Sequence, residues 1–461
     1  MKNNARLTSI LAVVSINSFM GTFLVSSINL ALPTIEHTFG MSAVLLSWIV
    51  TAFLLATALF LMPVGSWGDM FGAGKLFKSG VILFTVASVL CAVAPSGPFL
   101  IASRFLQGVA TALTNTTGQA ILVGSFPREK RGSALGISVS SVYLGLTFGP
   151  FFGGMLTQHF GWRSIFYVSI LLGIVSIVLS FLFIEKDKVA ENQSKKMDVK
   201  GILFYMAGLS CLVYGSSRIP EFTGWFILLL GLVFVAIFIL VETKSDFPMM
   251  DIRLFTGNRL FSFSNLAALI SYLSTSAIVF FLSLYLQKIH HLNPQHAGFI
   301  LIAQPIMMSL FSPIVGRLSD KHEPRYFATA GMTLCTTGLA AMAFFSESTP
   351  TWMVVCILLW VGFGFALFSS PNMNMIMSSV DHSKFGQASG SAASMRLLGQ
   401  IFSMTLVTLL FAVMFSGSSI QTISNALFLK VMKIGFLCFA AIGVVGIYFS
   451  FVRGNLRKET I

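Results

Sequence analysis

Charge is what this sequence has least of. Only 10% of its 461 residues are Asp, Glu, Lys or Arg, against roughly 25% in an average soluble domain, and 55% are hydrophobic. Such a chain is neither a soluble enzyme nor a nucleic-acid module, and its net charge of +13 has no soluble basic domain to carry it. Acidic residues are scarcer than basic ones, 16 against 29, and all of them fall in loops or at the ends of apolar runs. No carboxylate is therefore expected at the centre of a span. Cysteines are few: Cys91, Cys211, Cys335, Cys356 and Cys438 lie far apart in apolar runs without CxxC spacing, which excludes a disulfide framework and a zinc ligand set. His290, His291 and His296 form the sole histidine cluster and lack metal-ligand company. No enzyme chemistry and no cofactor are expected.

Phosphate-binding turns are missing too. The stretch "GSWGDMFGAGKLF", residues 65–77, is glycine-rich, but a P-loop needs glycine where Asp69 stands and Ser or Thr where Leu76 stands. Gly72 and Gly74 lack the third glycine of a dinucleotide turn, and the missing P-loop disfavours driving by ATP.

What is present is a series of apolar runs of about twenty residues, each long enough to cross a bilayer. Hydropathy places fourteen spans near 9–32, 43–63, 79–95, 98–123, 133–158, 163–184, 200–217, 223–242, 259–287, 295–315, 326–345, 350–370, 387–415 and 430–452. Leu7–Leu32 has a basic flank, but its apolar length and the lack of a cleavage site make it a retained first helix. An even count puts both termini on one side. With that side cytoplasmic, about twenty-two Lys and Arg fall inside and about five outside, the bias of a multi-pass protein of a bacterial-type plasma membrane.

The glycine-rich stretch has a second copy. "PVGSWGDMFGAGKLF" from Pro63 and "PIVGRLSDKHEPRYF" from Pro313 both carry Pro, Val-Gly, and an Asp four residues after that Gly: Asp69 after Gly65, Asp320 after Gly316. Both occupy the same place in a six-span set, as in transporters built from two parallel halves around a central site. The chain accordingly divides into residues 1–184, a six-helix bundle; 185–258, two inserted helices with cytoplasmic flanks; and 259–461, a second six-helix bundle. Gly65, Asp69, Gly72, Lys75, Asp320 and Arg325 are the expected inner latch, with the aspartates able to accept from helix N-termini or pair with bases.

Polar residues within spans fall on helical stripes. Arg104, Gln107, Thr111, Asn115 and Gln119 share one face of the fourth span; Ser15, Ser18, Thr22, Ser26 and Asn29 share one of the first; Arg396, Gln400 and Ser403 share one of the thirteenth. A hydroxyl stripe either lines a path or glues helices together. A buried arginine faces a cavity or partner, or snorkels if close to the surface, as Arg104 is by position. Gly145, Gly149, Gly153 and Gly154, with the helix-bending Pro150, strip one face of the fifth span for close helix approach. Phe19, Phe23, Tyr143, Asn265 and Tyr272, with Thr22, Ser26 and Asn29, are expected to line a substrate path. The titratable groups nearest the ends of these spans are Asp69 at the inner edge and Glu36, His37 and His159 at the outer.

Taken together these motifs resemble the major facilitator superfamily, and within it the fourteen-spanner drug:proton antiporters. The 65–77 stretch is similar to that family's loop signature, although Gly74 stands where a basic residue is usual. "RFLQGVATAL" from Arg104 and "GLTFGPFFGGML" from Gly145 resemble the fourth-helix and fifth-helix antiporter signatures, and "PMMDIRLFTGNRLF" from Pro248 looks like the segment leading into the second bundle. "NLALP" at Asn29–Pro33 matches the end of the first-helix signature, but Leu24 replaces the acidic residue common near its start. The resemblance implies an all-α polytopic fold of two six-helix bundles plus two inserted helices. It also implies a secondary exporter that exchanges protons for drug-like amphipathic molecules by alternating access. Export of a lipid, metabolite or osmolyte on the same fold is the alternative. Partners are small-molecule drugs, protons and the lipid bilayer; no nucleic acid and no oligomer are implied. The 46 Phe and 22 Met suit a pocket that adapts to varied amphipathic cargo.

Overall fold

The computed structural model describes residues 2–184, 198–245, 252–319, 321–380, 385–415 and 418–455, and the regular elements among them are all helices. In order they are α1 (Lys2–Phe39), α2 (Ala43–Phe71), α3 (Ala73–Ala92), α4 (Gly97–Ser125), α5 (Arg128–Phe160), α6 (Ser164–Phe183), α7 (Val199–Ser217), α8 (Phe222–Lys244), α9 (Ile252–Gly257), α10 (Arg259–Thr275), α11 (Ile278–Lys288), α12 (Pro294–Leu301), α13 (Ala303–Ser319), α14 (Pro324–Met342), α15 (Thr351–Ser378), α16 (Phe385–Phe415) and α17 (Asn425–Val452). A bilayer offers backbone groups no hydrogen-bond partner, so apolar runs of this length satisfy their amides within the helix. Among the described residues, eleven spans are long and apolar enough to cross a membrane: α1, α2, α3, α6, α7, α8, α10 with α11, α12 with α13, α15, α16 and α17. The polar-striped α4 and α5 and the threonine- and glycine-containing α14, as long as α7 but less apolar, fall outside that set.

Two runs that read as continuous in the sequence are interrupted. Between α10 and α11 the Ala277 amide leaves the helical ladder and donates to Ser403 Oγ of α16 at 3.1 Å. Between α12 and α13, Pro305 has no N–H to return to the Leu301 carbonyl, and the helix breaks at Ile302. Gly72 separates α2 from α3 with φ 93°, a left-handed conformation that costs a residue with Cβ, which explains its place in the glycine-rich turn.

The chain forms two compact units. Unit 1 comprises Met1–Met41, Leu45–Ile202 and Asn293–Gly298; unit 2 comprises Ser42–Val44, Leu203–Leu292 and Phe299–Ile461. Within unit 1, α1 packs on α4, α5 and α6, and α3 packs on α4 and α6. Within unit 2, α10 packs on α15, α16 and α17, and α14 packs on α15 and α17. Helices α7 and α8 pack on each other through small residues, Gly208 against Val235 and Gly231 against Leu212.

Four glycine contacts of unit 1 recur in unit 2. Gly80 of α3 abuts Leu113 and Thr114 of α4, while Gly331 of α14 abuts Leu367 and Phe368 of α15. Gly108 of α4 meets the Phe53 carbonyl and Ala56 of α2; Gly362 of α15 meets the Gln304 carbonyl and Met307 of α13. Gly173 of α6 rests on the Thr85 hydroxyl of α3, and Gly443 of α17 on the Thr336 hydroxyl of α14. Gly145 of α5 meets the Phe19 carbonyl, Thr22 and the Phe23 amide of α1, as Gly399 of α16 meets the Leu269 carbonyl, Tyr272 and the Leu273 amide of α10. At each point a missing Cβ lets two backbones approach, the packing that substitutes for hydrophobic drive inside lipid.

Candidate functional site

The α1–α5 crossing of unit 1 gathers most of the residues expected along a path. Ser27 Oγ donates to the Gly149 carbonyl at 2.9 Å, Thr22 Oγ1 to Val142 O at 3.1 Å and Ser26 Oγ to Leu146 O at 3.4 Å. Ser18 and Ser138 meet through their hydroxyls at 3.2 Å. Thr22 and Ser26 of the α1 stripe, with Ser27 beside them, are thus bonded to α5 backbone, and Ser18 to an α5 side chain. Across it, a Cβ on Gly149 would lie 2.5 Å from Ser26 Cβ, and one on Gly153 would lie 2.6 Å from Ser27 Cβ. Pro150 is buried within α5. Gly154 packs against the carbonyl of Pro294, in the segment Asn293–Gly298 that belongs to unit 1, and exposed His159 reaches Gln295 Oε1 of that segment at 3.1 Å.

Phe19 and Phe23 stack at 5.6 Å, Phe23 buried and Phe19 half-buried. Asn29 is buried and donates to Val25 O, while Tyr143 is half-buried. Glu36 is buried near the end of α1, and His37 beside it is exposed.

Arg104 lies at the join of α2, α3 and α4, fully buried, so its head neither reaches the surface nor opens to water. Its Nη1 donates to Gln107 Oε1 at 2.6 Å and its Nε to Ile49 O at 3.2 Å, and the guanidinium sits 4.3 Å from the Phe53 ring centre. Gln107 passes the chain on to Ser88 Oγ at 2.8 Å. A charge is held here by neutral dipoles and a π-face, the arrangement expected where a carboxylate is absent. Thr111 donates to Gln107 O, and Asn115, a turn further along α4, is half-buried.

In unit 2, Asn265 is buried between Phe261 O, to which it donates at 3.0 Å, and Ser391 Oγ of α16 at 3.2 Å. Tyr272 meets Phe365 edge-on at 5.3 Å. Arg396 and Gln400 on α16 are half-buried. A second buried guanidinium, Arg453, is marked by no motif in the sequence. It is buried at the end of α17 and donates to Asn372 Oδ1 of α15, to Ser450 Oγ at 2.9 Å and to Ser264 Oγ of α10 at 3.4 Å. Asn372 in turn donates to Ser264 O at 3.1 Å, so one side chain staples three helices. The polar cluster at the end of α15, "SSPNMN" from Ser369, was the available signal.

The latch residues are only partly within view. Gly72 makes its turn, Gly65 and Lys75 are exposed, and Arg325 donates to Asn455 Oδ1 at 2.9 Å while stacking 4.6 Å from the Phe451 ring. The side chain of Asp69 and the whole of Asp320 lie outside the described residues. Among the described residues no three His, Cys, Asp or Glu gather into a metal-sized group, and His290 pairs instead with Tyr285 OH at 3.0 Å.

The family profile described as Major Facilitator Superfamily matches residues 14–404 and 264–458. The riboflavin transporter RibZ of Clostridioides difficile is 32% identical over 89% of this chain and 88% of its own. The multidrug resistance protein Stp of Mycobacterium tuberculosis is 30% identical over 81% of this chain and 70% of its own. The tetracenomycin C resistance and export protein of Streptomyces glaucescens is 29% identical over 80% and 69%. In three dimensions the chain resembles a D-xylose-proton symporter with TM-score 0.70, over 98% of this chain and 99% of that one, at 12% identity.

Proposed function

Because the chain belongs to the Major Facilitator Superfamily, and is thus a multi-pass membrane transporter and not an enzyme, we propose that it is a secondary active exporter of drug-like amphipathic molecules, driven by protons through alternating access. The observation that carries the mechanism is the recurrence of the four glycine contacts in both units, which supports two related halves built on one plan. On this reading α4, α5 and α14 also cross the bilayer, giving fourteen spans with α7 and α8 as the inserted pair. Both termini then lie on the cytoplasmic side of the cell membrane. Drug export is supported by the two relatives whose names record resistance. The proton carrier is to be sought among Asp69, Glu36, His37 and His159, with Gly65 and Asp69 at the end of α2, Gly72 between α2 and α3, Lys75 of α3, Asp320 and Arg325 as inner latch.

A second reading, transport of a metabolite, is favoured by the riboflavin-transporting relative. Expression in a bacterial host stripped of its own drug pumps, and in a riboflavin auxotroph, separates the two. Export of drugs raises the inhibitory concentration of several amphipathic antibiotics by about tenfold, a factor set by about 1.4 kcal/mol of partitioning, without rescuing the auxotroph. Rescue with unchanged drug sensitivity transfers the function to the metabolite.

A further inference from the structure

The two buried arginines have their charge shared among fixed acceptors, and Arg396 does not. It stands eleven residues beyond Phe385, the start of α16, about 16 Å along the helix axis. Its stripe is defined by contacts on either side. Ser403, seven residues on, accepts from the Ala277 amide, and Gly399, three residues on, packs on Tyr272 and Leu273, so spacing places Arg396 on the α10-facing side of α16. Its guanidinium is half-buried and, among the described residues, has no hydrogen bond, ion pair or ring contact. Helices α10 to α17 contain no Asp or Glu at all, so none of them holds a counter-ion for it.

An arginine at this depth costs about 2.5 kcal/mol or more to insert unless water or a partner reaches it. The half-exposed head therefore marks where α16 borders water, and in a transporter that water is the substrate's route. Gln400, one turn on and also half-buried, adds a neutral donor and acceptor to the same stretch. A planar fork of donors with no fixed acceptor is matched by a carboxylate, phosphate or phenolate oxygen pair. An approaching cation meets repulsion that no carboxylate of α10–α17 offsets.

We propose that Arg396 is the residue by which this transporter selects cargo bearing an acidic group, so that its substrates are anionic or zwitterionic amphiphiles and not lipophilic cations. The assignment rests on the transporter reading above and deepens it. Two xanthene dyes of opposite charge, fluorescein and rhodamine 6G, test it by fluorescence anisotropy on the purified full-length protein in lipid nanodiscs. The wild type binds fluorescein more tightly than rhodamine 6G. Arg396→Gln weakens fluorescein about tenfold or more, the worth of one charge-assisted hydrogen bond, while rhodamine 6G, freed of a like charge, binds more tightly. Arg396→Lys, which keeps the charge but loses the fork, falls between. Tighter binding of rhodamine 6G by the wild type, fluorescein binding indifferent to Arg396→Gln, or equal loss of both dyes in Gln and Lys variants alike overturns the assignment. Arg396-dependent fluorescein binding without any energised transport overturns the export reading and upholds the selectivity.

Discussion

Gln107→Leu is expected to destabilise the protein by about 3 kcal/mol, and Arg104→Met by distinctly less. Among the described residues Arg104 has no carboxylate partner: Gln107 Oε1 at 2.6 Å, the Ile49 carbonyl at 3.2 Å and the Phe53 ring hold its charge. Removing the glutamine leaves a fully buried guanidinium with one side-chain acceptor fewer and no route to water. Removing the arginine takes away the group that needs solvating, and Gln107 keeps its bond to Ser88. The double variant Arg104→Met/Gln107→Leu should regain most of the loss, since neither half is then stranded. Thermal midpoints of the detergent-purified variants read the order directly, and an Arg104→Met variant weaker than Gln107→Leu would show that the guanidinium has a stronger acceptor than these.

Gly149→Val should reduce transport more than about tenfold, with Gly149→Ala intermediate. A single Cβ at Gly149 lies 2.5 Å from Ser26 Cβ and 3.2 Å from the Phe23 carbonyl, so the obstruction is partly backbone and cannot swing aside. Overpacking of this kind costs about 1–3 kcal/mol, and here it also stretches the Ser26 and Ser27 bonds to α5. Gly124, with nothing within 4 Å of its virtual Cβ, is the internal control, and Gly124→Ala should transport normally. Equal activity of Gly149→Val and wild type, at equal membrane abundance, would show that α1 and α5 do not need their close approach.

The helical, membrane-spanning character was legible because apolar length and scarce charge impose it wherever backbone must be satisfied in lipid. In the sequence the repeat was legible only where Gly65 and Asp69 match Gly316 and Asp320, a stretch that reads as loop but whose described part continues α2 to Phe71 and α13 to Ser319. The glycine contacts that recur in the two units lie elsewhere and in the backbone: Phe53 and Gln304 each offer a carbonyl, and Thr22 and Tyr272 each flank a glycine, with side chains that share no chemistry. The break before α11 depends on Ser403, over a hundred residues away, and no local pattern announces it. Arginines divide in the same way. Arg104, Arg396 and Arg453 differ in whether other helices bring them acceptors, which residue type does not encode. The glycine face of α5 was read from its four-residue spacing; that its partner is the hydroxyl stripe of α1 emerged only once both helices were placed.

The claim beneath all of this is that a proton gradient moves cargo through the protein. Everted membrane vesicles containing it, energised by an imposed pH difference and supplied with a fluorescent amphipathic anion, measure that most directly. Uptake that follows the size of the gradient, stops on adding a protonophore and is accompanied by cargo-dependent proton release is the predicted result. Uptake that persists undiminished after the gradient is collapsed would contradict it.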